Sequence, residues 1–333
     1  MKKATKLFFL FVSATLVVVG CRDVDDDTAV DDDAATDDDA DDDSWLQDDD
    51  VDDDTVGDDD EFFLPGRLTA GDYHACFLQD DGTAVCWGND SYGPTDVPPG
   101  GVYSAIDAGY FLTCGLDLQG KVDCWGADFY GESSNEPVGV VFTEICVGGL
   151  YGCGLKADSS ITCWGSDRFV PFTSPSPIYE HITCGEHYMC GLLADGSAEC
   201  WGYEDNPTGY GQLDDPAGPF IAIDAGETHT CGILAGSDVR QAYCWGYHLA
   251  APPNNVSFIK LTSGSQHNCG LTVDYEIACW GCEDWEPTFG QCEPPSGMFV
   301  DVVSGDYYSC GLRPDISVEC WGINNYGQCN PPL

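Results

Sequence analysis

From Leu68 onward, apolar positions come in short runs that alternate with polar ones and are broken every few residues by glycine, asparagine or proline. Alternation with period two over four to eight residues reads as a half-buried strand, whereas an amphipathic helix would repeat every 3.6 residues, and no part of this region does. The pattern predicts an all-β chain. Ile106 to Gly126 shows the unit: two alternating runs flank Leu118-Gln119-Gly120, which reads as the turn of a hairpin.

The unit recurs seven times. Its opening glycine falls at Gly71, Gly109, Gly148, Gly185, Gly226, Gly264 and Gly305, at spacings of 37 to 41 residues. Each copy continues with a Cys, a turn, a second Cys and Trp-Gly. Repeats of this length are single supersecondary units that cannot bury their apolar faces alone and must stack.

The cysteines follow the hairpin. Cys114 and Cys124 are equidistant from Gln119, so an antiparallel register sets them opposite each other on one face, close enough for a disulfide. The same spacing recurs in Cys76 and Cys86, Cys153 and Cys163, Cys190 and Cys200, Cys269 and Cys279, and Cys310 and Cys320; only Cys231 and Cys244 enclose three extra residues. The spacing is not that of a zinc knuckle, so neither a metal nor any other cofactor is expected. Cys282 and Cys292 bracket a loop that they are expected to close. Cys146 and Cys184 are candidates for a link between neighbouring repeats, which leaves Cys329 odd.

The second half of each copy is rich in Pro and Gly, as in Asn89-Asp90-Ser91-Tyr92-Gly93 and Asn325-Tyr326-Gly327-Gln328. A Gly-x-x-His-x-Cys-x-Leu segment, an Asp-Gly-type turn and Cys-Trp-Gly-x-Asn-x-Tyr-Gly-Gln together resemble the repeats of the regulator of chromosome condensation (RCC1-like) family, in its Cys-paired bacterial secreted form. The resemblance spans about residues 66 to 333, although the third and fifth copies lack the Tyr-Gly-Gln part. It implies a seven-bladed β-propeller with four-stranded blades. A parallel β-helix is the competing architecture.

The N-terminus adds a destination. Lys2, Lys3 and Lys6 precede an apolar run from Leu7 to Val19, too short to span a membrane and of the length of a secretory signal. Val18-Val19-Gly20-Cys21 resembles a lipoprotein lipobox, which makes Cys21 the expected lipidation site and residues 1–20 the signal peptide. Between Arg22 and Glu61 stand 22 Asp and Glu61 against one Arg. So charged a stretch cannot collapse, and residues 21–61 are expected to be a disordered tether carrying the propeller domain of residues 62–333. The whole chain carries a net charge of −47. That argues against a nucleic-acid partner.

Catalytic motifs are missing: there is no Gly-x-Ser-x-Gly elbow, His-Glu-x-x-His or phosphate loop, and no catalytic residue is assigned. His74, His229 and His267 share one repeat position with Leu112, Tyr151, Tyr188 and Tyr308, which marks a packing slot. The seven repeat Trp, from Trp87 to Trp321, read as packing residues for the same reason. Binding is expected in the departures from the repeat: Tyr203 to Gln212 with Tyr210, the long turn Leu234 to Ala242, and the Cys282–Cys292 loop with Trp285 and Phe289. These features point to an exported, monomeric, lipid-anchored module that binds a protein or polysaccharide at the cell envelope, the outer membrane above all. The alternative is a hydrolase or lyase of an extracellular polymer with carboxylates at the channel mouth.

Overall fold

The computed structural model describes residues 8–10, 17–19, 66–166, 174–176, 178–203, 210–214, 216–236, 239–247, 251–282 and 288–332. Cys21, the acidic tether and Trp285 lie outside them. β1 (Phe8–Leu10) and β2 (Val17–Val19) pair antiparallel within the expected signal segment. The other 21 strands form seven antiparallel sheets, one per repeat, and the described residues contain no helix.

The blades are β3 (Leu68–Ala70), β4 (His74–Leu78) and β5 (Ala84–Gly88); β6 (Tyr103–Ala108), β7 (Leu112–Asp117) and β8 (Val122–Gly126); β9 (Glu144–Val147), β10 (Tyr151–Leu155) and β11 (Ile161–Gly165); β12 (His181–Cys184), β13 (Tyr188–Leu192) and β14 (Ala198–Gly202); β15 (Phe220–Ala225), β16 (His229–Leu234) and β17 (Ala242–Gly246); β18 (Phe258–Ser263), β19 (Asn268–Thr272) and β20 (Ile277–Trp280); and β21 (Asp301–Ser304), β22 (Tyr308–Leu312) and β23 (Val318–Gly322). Each blade therefore has three strands, not the four that the family resemblance implies. Among the described residues, the Pro- and Gly-rich tails that follow the outer strands fold into turns and serve a different purpose. Its carbonyls accept the indole N–H of the next blade's Trp: Trp125 donates to Pro94 at 2.8 Å, Trp164 to Glu132 at 3.1 Å and Trp321 to Gln291 at 2.9 Å.

Packing explains why the blades stack. In blade two, Tyr103 at the head of the inner strand lies 5.6 Å from Trp125, and a Cβ on Gly115 would strike the Tyr103 ring. Phe142 with Trp164, Tyr179 with Trp201, Phe220 with Trp245, Phe258 with Trp280 and Phe299 with Trp321 repeat the pair. Blade one inverts the arrangement, for Phe77 stands where the others have glycine and the Arg67 guanidinium sits 5.2 Å from its ring. The Trp faces the neighbouring blade, so Leu112, Leu116, Phe142, Ile145 and Trp164 form one core across two blades. Burying one such side chain contributes roughly 1.5–3 kcal/mol, so the core lies between blades rather than within them.

The ring closes. The inner strand of each blade touches the next, and β21 touches β3. Leu68, Ala75 and Trp87 share a core with Val303, Tyr308 and Leu312, and Trp87 donates to the Gln328 carbonyl at 2.9 Å. The seven opening glycines make the innermost contact. A Cβ on Gly71 would meet the carbonyl oxygen of Gly109, one on Gly109 that of Gly148, and so on round the ring to Gly305, which abuts Gly71.

Nine disulfides staple this ring. Each hairpin pair joins residues directly opposite in register, including Cys114 with Cys124 and, across the longer turn, Cys231 with Cys244. Cys282 is bonded to Cys292. Cys146 is bonded to Cys184 and joins the inner strands of blades three and four, while Cys329 is free.

Two outcomes follow for stability. Gly109→Ala forces a methyl group into the neighbouring backbone, and overpacking of a rigid interior costs about 1–3 kcal/mol, so the guanidinium midpoint of the non-reduced protein should fall clearly. An unchanged midpoint would mean that the glycine ring is not a tight contact. Replacing Cys146 and Cys184 together by Ser opens a loop of 38 residues, against 10 for Cys114 and Cys124. In the loop-entropy account the first costs about 4 kcal/mol and the second about 3 kcal/mol, so the inter-blade pair should show the larger midpoint shift.

Candidate functional site

The inner strands line a narrow central channel whose chemistry is set by repeat position. In five of the seven blades the residue two before the opening glycine points its side chain at the next blade and accepts from a backbone N–H there. Thr69 accepts from Ala108 at 3.1 Å, Asp107 from Val147 at 2.7 Å, Thr183 from Ala225 at 3.0 Å, Asp224 from Ser263 at 2.6 Å and Thr262 from Ser304 at 2.8 Å. Cys146 occupies the same position and bonds Cys184 covalently instead. Two further cross-blade pairs lie two residues earlier: partly buried Lys260 with buried Asp301, and Glu144 with His181 at 3.5 Å. The acidic residues at this end of the channel thus hold blades together.

The histidine slot does the same work deeper in each blade. His74 Nε2 lies 2.7 Å from Thr113 Oγ1, and Thr113 in turn donates to the Pro94 carbonyl at 2.9 Å. The hydroxyl proton is therefore engaged, and His74 must be the neutral tautomer with its proton on Nε2. His229 Nε2 meets Asn268 Oδ1 at 2.8 Å and His267 Nε2 meets Ser309 Oγ at 2.8 Å. Burial pushes the His74 pKa down to about 4 and that of His267 to about 3. Where the slot holds tyrosine, the Tyr151, Tyr188 and Tyr308 hydroxyls donate to carbonyls of the following blade, Tyr308 crossing the closure to Gly71 and His74. All three of these histidines are fully buried.

The opposite end of the channel is different. The residue just after each opening glycine supplies Asp72, Tyr110, Gly149, Glu186, Glu227, Ser265 and Asp306, so four carboxyl groups surround one mouth. Burial, then the charges of Asp306, Glu186 and Glu227, pushes the Asp72 carboxyl well above the ordinary range. Burial likewise raises Asp306 to about 6, with Glu227 adding to the effect and Ser265 opposing it. The cavity at this mouth is about 80 Å³. That volume admits a few waters; small-molecule sites are several times larger.

Around this mouth the tails and inner loops build an aromatic surface. In six of the seven blades the backbone N–H that follows Trp-Gly donates to the loop beside the mouth, as from Asn89 to Tyr73 at 2.9 Å and from Ala127 to Phe111 at 2.8 Å. The Tyr-Gly-Gln turn is then fixed by its own side chain, since Gln328 Oε1 accepts from the Tyr326 amide and Gln291 Oε1 from that of Phe289, both at 2.9 Å. These turns aim their aromatic rings at the next blade. Tyr326 lies 5.5 Å from Tyr73, Tyr73 5.4 Å from Tyr110, Tyr110 4.3 Å from Phe111, Phe111 4.8 Å from Tyr92 and Tyr92 5.1 Å from Phe129. Tyr326, Tyr92 and Phe129 are about half exposed. A continuous aromatic ridge thus crosses blades seven, one and two beside the carboxyl mouth.

Of the binding residues expected from sequence, Phe289 packs edge-on against Tyr307 at 5.5 Å and Tyr210 against Tyr247 at 4.4 Å. Phe289-Gly290-Gln291 is itself a form of Tyr-Gly-Gln, so Phe289 is the sixth blade's counterpart of Tyr92 and Tyr326 rather than a feature peculiar to its loop. The ridge of Tyr73, Tyr92, Tyr110, Phe111, Phe129 and Tyr326 was not singled out by sequence; the signal was the repeat tyrosine, which joins a ridge only where adjacent blades also place aromatics after the glycine.

Comparison with known proteins agrees with this architecture. Residues 67–93 and 103–132, the first two blades, match the regulator of chromosome condensation (RCC1) repeat. The CRINKLY WD40 ectodomain of the Arabidopsis thaliana receptor kinase ACR4 is similar at 26% identity and a TM-score of 0.66, over 80% of this chain and 98% of that one. The entire ectodomain of the Physcomitrella patens receptor kinase CR4 matches at 26% identity and a TM-score of 0.65, over 77% and 73%. Human WBSCR16, at 14% identity and a TM-score of 0.58 over 74% and 86%, shares the fold. The chain carries RCC1 repeats and folds as an RCC1-like β-propeller.

The titrating groups give a directional test. Burial raises Glu144 and Asp224 to about 7 and Asp107 and Asp306 to about 6, so the stability tied to their protonated forms is lost as pH climbs through those values. His74 and His267 are lowered, so their contribution is present above an unfolded value near 6.5 and is lost only on further acidification. Between pH 8 and 6.5 the raised carboxyl groups act together with His181, which burial lowers but Glu144 raises by more, and whose contribution is likewise lost as pH climbs. The non-reduced protein should gain stability over that interval, Asp224→Asn should flatten the gain, and a midpoint that falls from pH 8 to 6.5 would contradict the burial of these groups.

Proposed function

We propose that this protein is an exported, lipid-anchored propeller that serves as a binding module at the cell envelope, engaging a protein or polysaccharide through one face. The observation that carries the reading is the exposed aromatic ridge from Tyr326 to Phe129, mounted on a disulfide-stapled ring. Contiguous exposed aromatic area on a soluble domain marks an interaction surface, and a rigid scaffold spares the ordering cost of binding. RCC1-like propellers commonly mediate protein binding, and the two plant relatives at 26% identity are ectodomains. Tyr210 and Phe289 extend the proposed contact set, and Trp285, which lies outside the described residues, is kept in it from the sequence.

Nine disulfides fit an oxidising compartment. Among the described residues no helix is long and apolar enough to cross a membrane. Attachment then falls to Cys21, with residues 1–20 removed as a signal and residues 21–61 as the spacer that lifts the domain of residues 62–333 away from the bilayer. Acyl chains supply about 0.8 kcal/mol per buried CH₂, enough for stable anchoring when more than one chain is attached.

The competing reading, a hydrolase or lyase of an extracellular polymer, draws on the four carboxyl groups at the mouth. Its difficulty is room, because a cavity of about 80 Å³ does not receive a sugar ring beside Asp72 and Asp306.

Capture of envelope proteins and a glycan array, both with the full chain, distinguish the two. Saturable binding without turnover is expected, and it should weaken in Phe289→Ala; cleavage of a bound polymer would replace the module by the enzyme. Cys21→Ser should release the protein from membranes into the aqueous phase on detergent partitioning, and unchanged partitioning would remove the lipid anchor.

A further inference from the structure

The two faces of the disc differ in charge. Among the described residues, the Lys and Arg side chains are Arg67, Lys121, Lys156, Arg240, Lys260 and Arg313. Lys121, Lys156, Arg240 and Arg313 sit in the hairpin turns between middle and outer strands; Arg67 pairs with the turn residue Asp80, and Lys260 pairs with Asp301 toward the same end of the channel. None stands on the face that bears the aromatic ridge. That face instead carries Asp72, Glu186, Glu227 and Asp306 round the mouth, with Asp90 and Asp128 in the tails beside Tyr92 and Phe129. His187, 3.9 Å from Glu186, is the one basic side chain described there.

We infer that the ridge face is a docking surface for a basic segment of a protein partner, whose Lys or Arg side chains lie over the Tyr326–Tyr73–Phe111–Tyr92–Phe129 rings and point toward the mouth carboxylates. The inference rests on the binding-module reading and deepens it. Aromatic faces carry a negative quadrupole that attracts an ammonium or guanidinium group, guanidinium most readily because it also stacks. Carboxylates behind the rings add attraction of the same sign, and no described Lys or Arg on that face opposes it. The ridge has the shape for an extended segment, since its rings succeed one another at 4.3 to 5.5 Å over three blades. The chain's own tether cannot be the occupant. Its 23 acidic residues between Arg22 and Glu61 carry the same charge as the face.

The test uses the full chain and a fluorescein-labelled hexa-arginine peptide, read by anisotropy at physiological salt. Tyr92→Ala, Phe129→Ala and Tyr326→Ala are combined in one variant; all three side chains are half exposed, and an unchanged near-ultraviolet signal from the seven Trp would report an intact ring. A second variant converts the 22 Asp from Asp23 to Asp60 to Asn, to remove the tether as a competing polyanion. The aromatic variant should bind at least tenfold more weakly and the tether variant within threefold of the parent. Equal binding by the aromatic variant, or loss of binding on neutralising the tether, would overturn the inference. So would binding of neutral cellohexaose at the ridge with no binding of the peptide, although that result leaves the binding-module reading standing; absence of any saturable partner in the capture and array experiments would remove both.

Discussion

The structure depends on one steric constraint: seven backbone segments must approach one another around a central axis closely enough that no side chain fits between them. Glycine at Gly71 and its six equivalents meets that demand, because a Cβ at each would lie against the carbonyl oxygen of the next. The contact is cyclic, each glycine being both the one that yields space and the one whose carbonyl fills it. An open stack cannot satisfy a cyclic contact, since the last glycine would have no neighbouring carbonyl against it. The glycine at each copy and the closure of the ring are therefore one requirement.

Around that ring the joints are chemically varied but mechanically alike. Thr, Asp and Cys two residues before the glycine have little in common except a short side chain ending in an atom that can hold the adjacent blade, by hydrogen bond in five cases and by a disulfide at the joint of blades three and four. At the closure the position holds Val303, which can do neither. That joint is secured elsewhere, by the Tyr308 hydroxyl reaching Gly71 and His74 and by Trp87 reaching Gln328. A seam where first and last repeats meet is where closure entropy is concentrated, and here it is held by polar bonds at both the channel and the rim.

What could be read from sequence follows from how strictly each position is specified. The seven copies, the hairpin register and the Cys pairs were legible because hairpin geometry admits one pairing, and the His slot was legible as structural because Leu112 and Tyr151 share it. The strand count was not. The resemblance carried an expectation of four strands, but the tails from Ala127 and Asn324 are committed to turns that cap themselves through Glu132 or Gln328 and receive a neighbour's indole, which leaves no ladder to extend. The latch position stayed hidden because Thr69, Asp107 and Cys146 look unrelated until their shared acceptor role is seen. Trp285 and Phe289 drew attention as an insertion, whereas Phe289 belongs to the repeat. The aromatic ridge arises from coincidence between neighbouring blades, and a reading that treats copies one at a time does not find it.

The same logic separates carboxylates that build the ring from those that face outward. Asp107 and Asp224 are consumed by backbone amides of the next blade, Asp301 by Lys260 and Glu144 by His181, so their charge is answered inside the channel. At the other mouth Asp72 and Asp306 stand near Glu186 and Glu227; burial first, and then these like charges, raise both, with Ser265 and Tyr73 opposing the shift at Asp306. A protein that needed only a closed ring would not gain from four like charges at one end, since each raises the cost of ionising the others. Charge held at such a cost is relieved by a positive partner, and the half-exposed rings beside it supply the apolar footing on which that partner can rest.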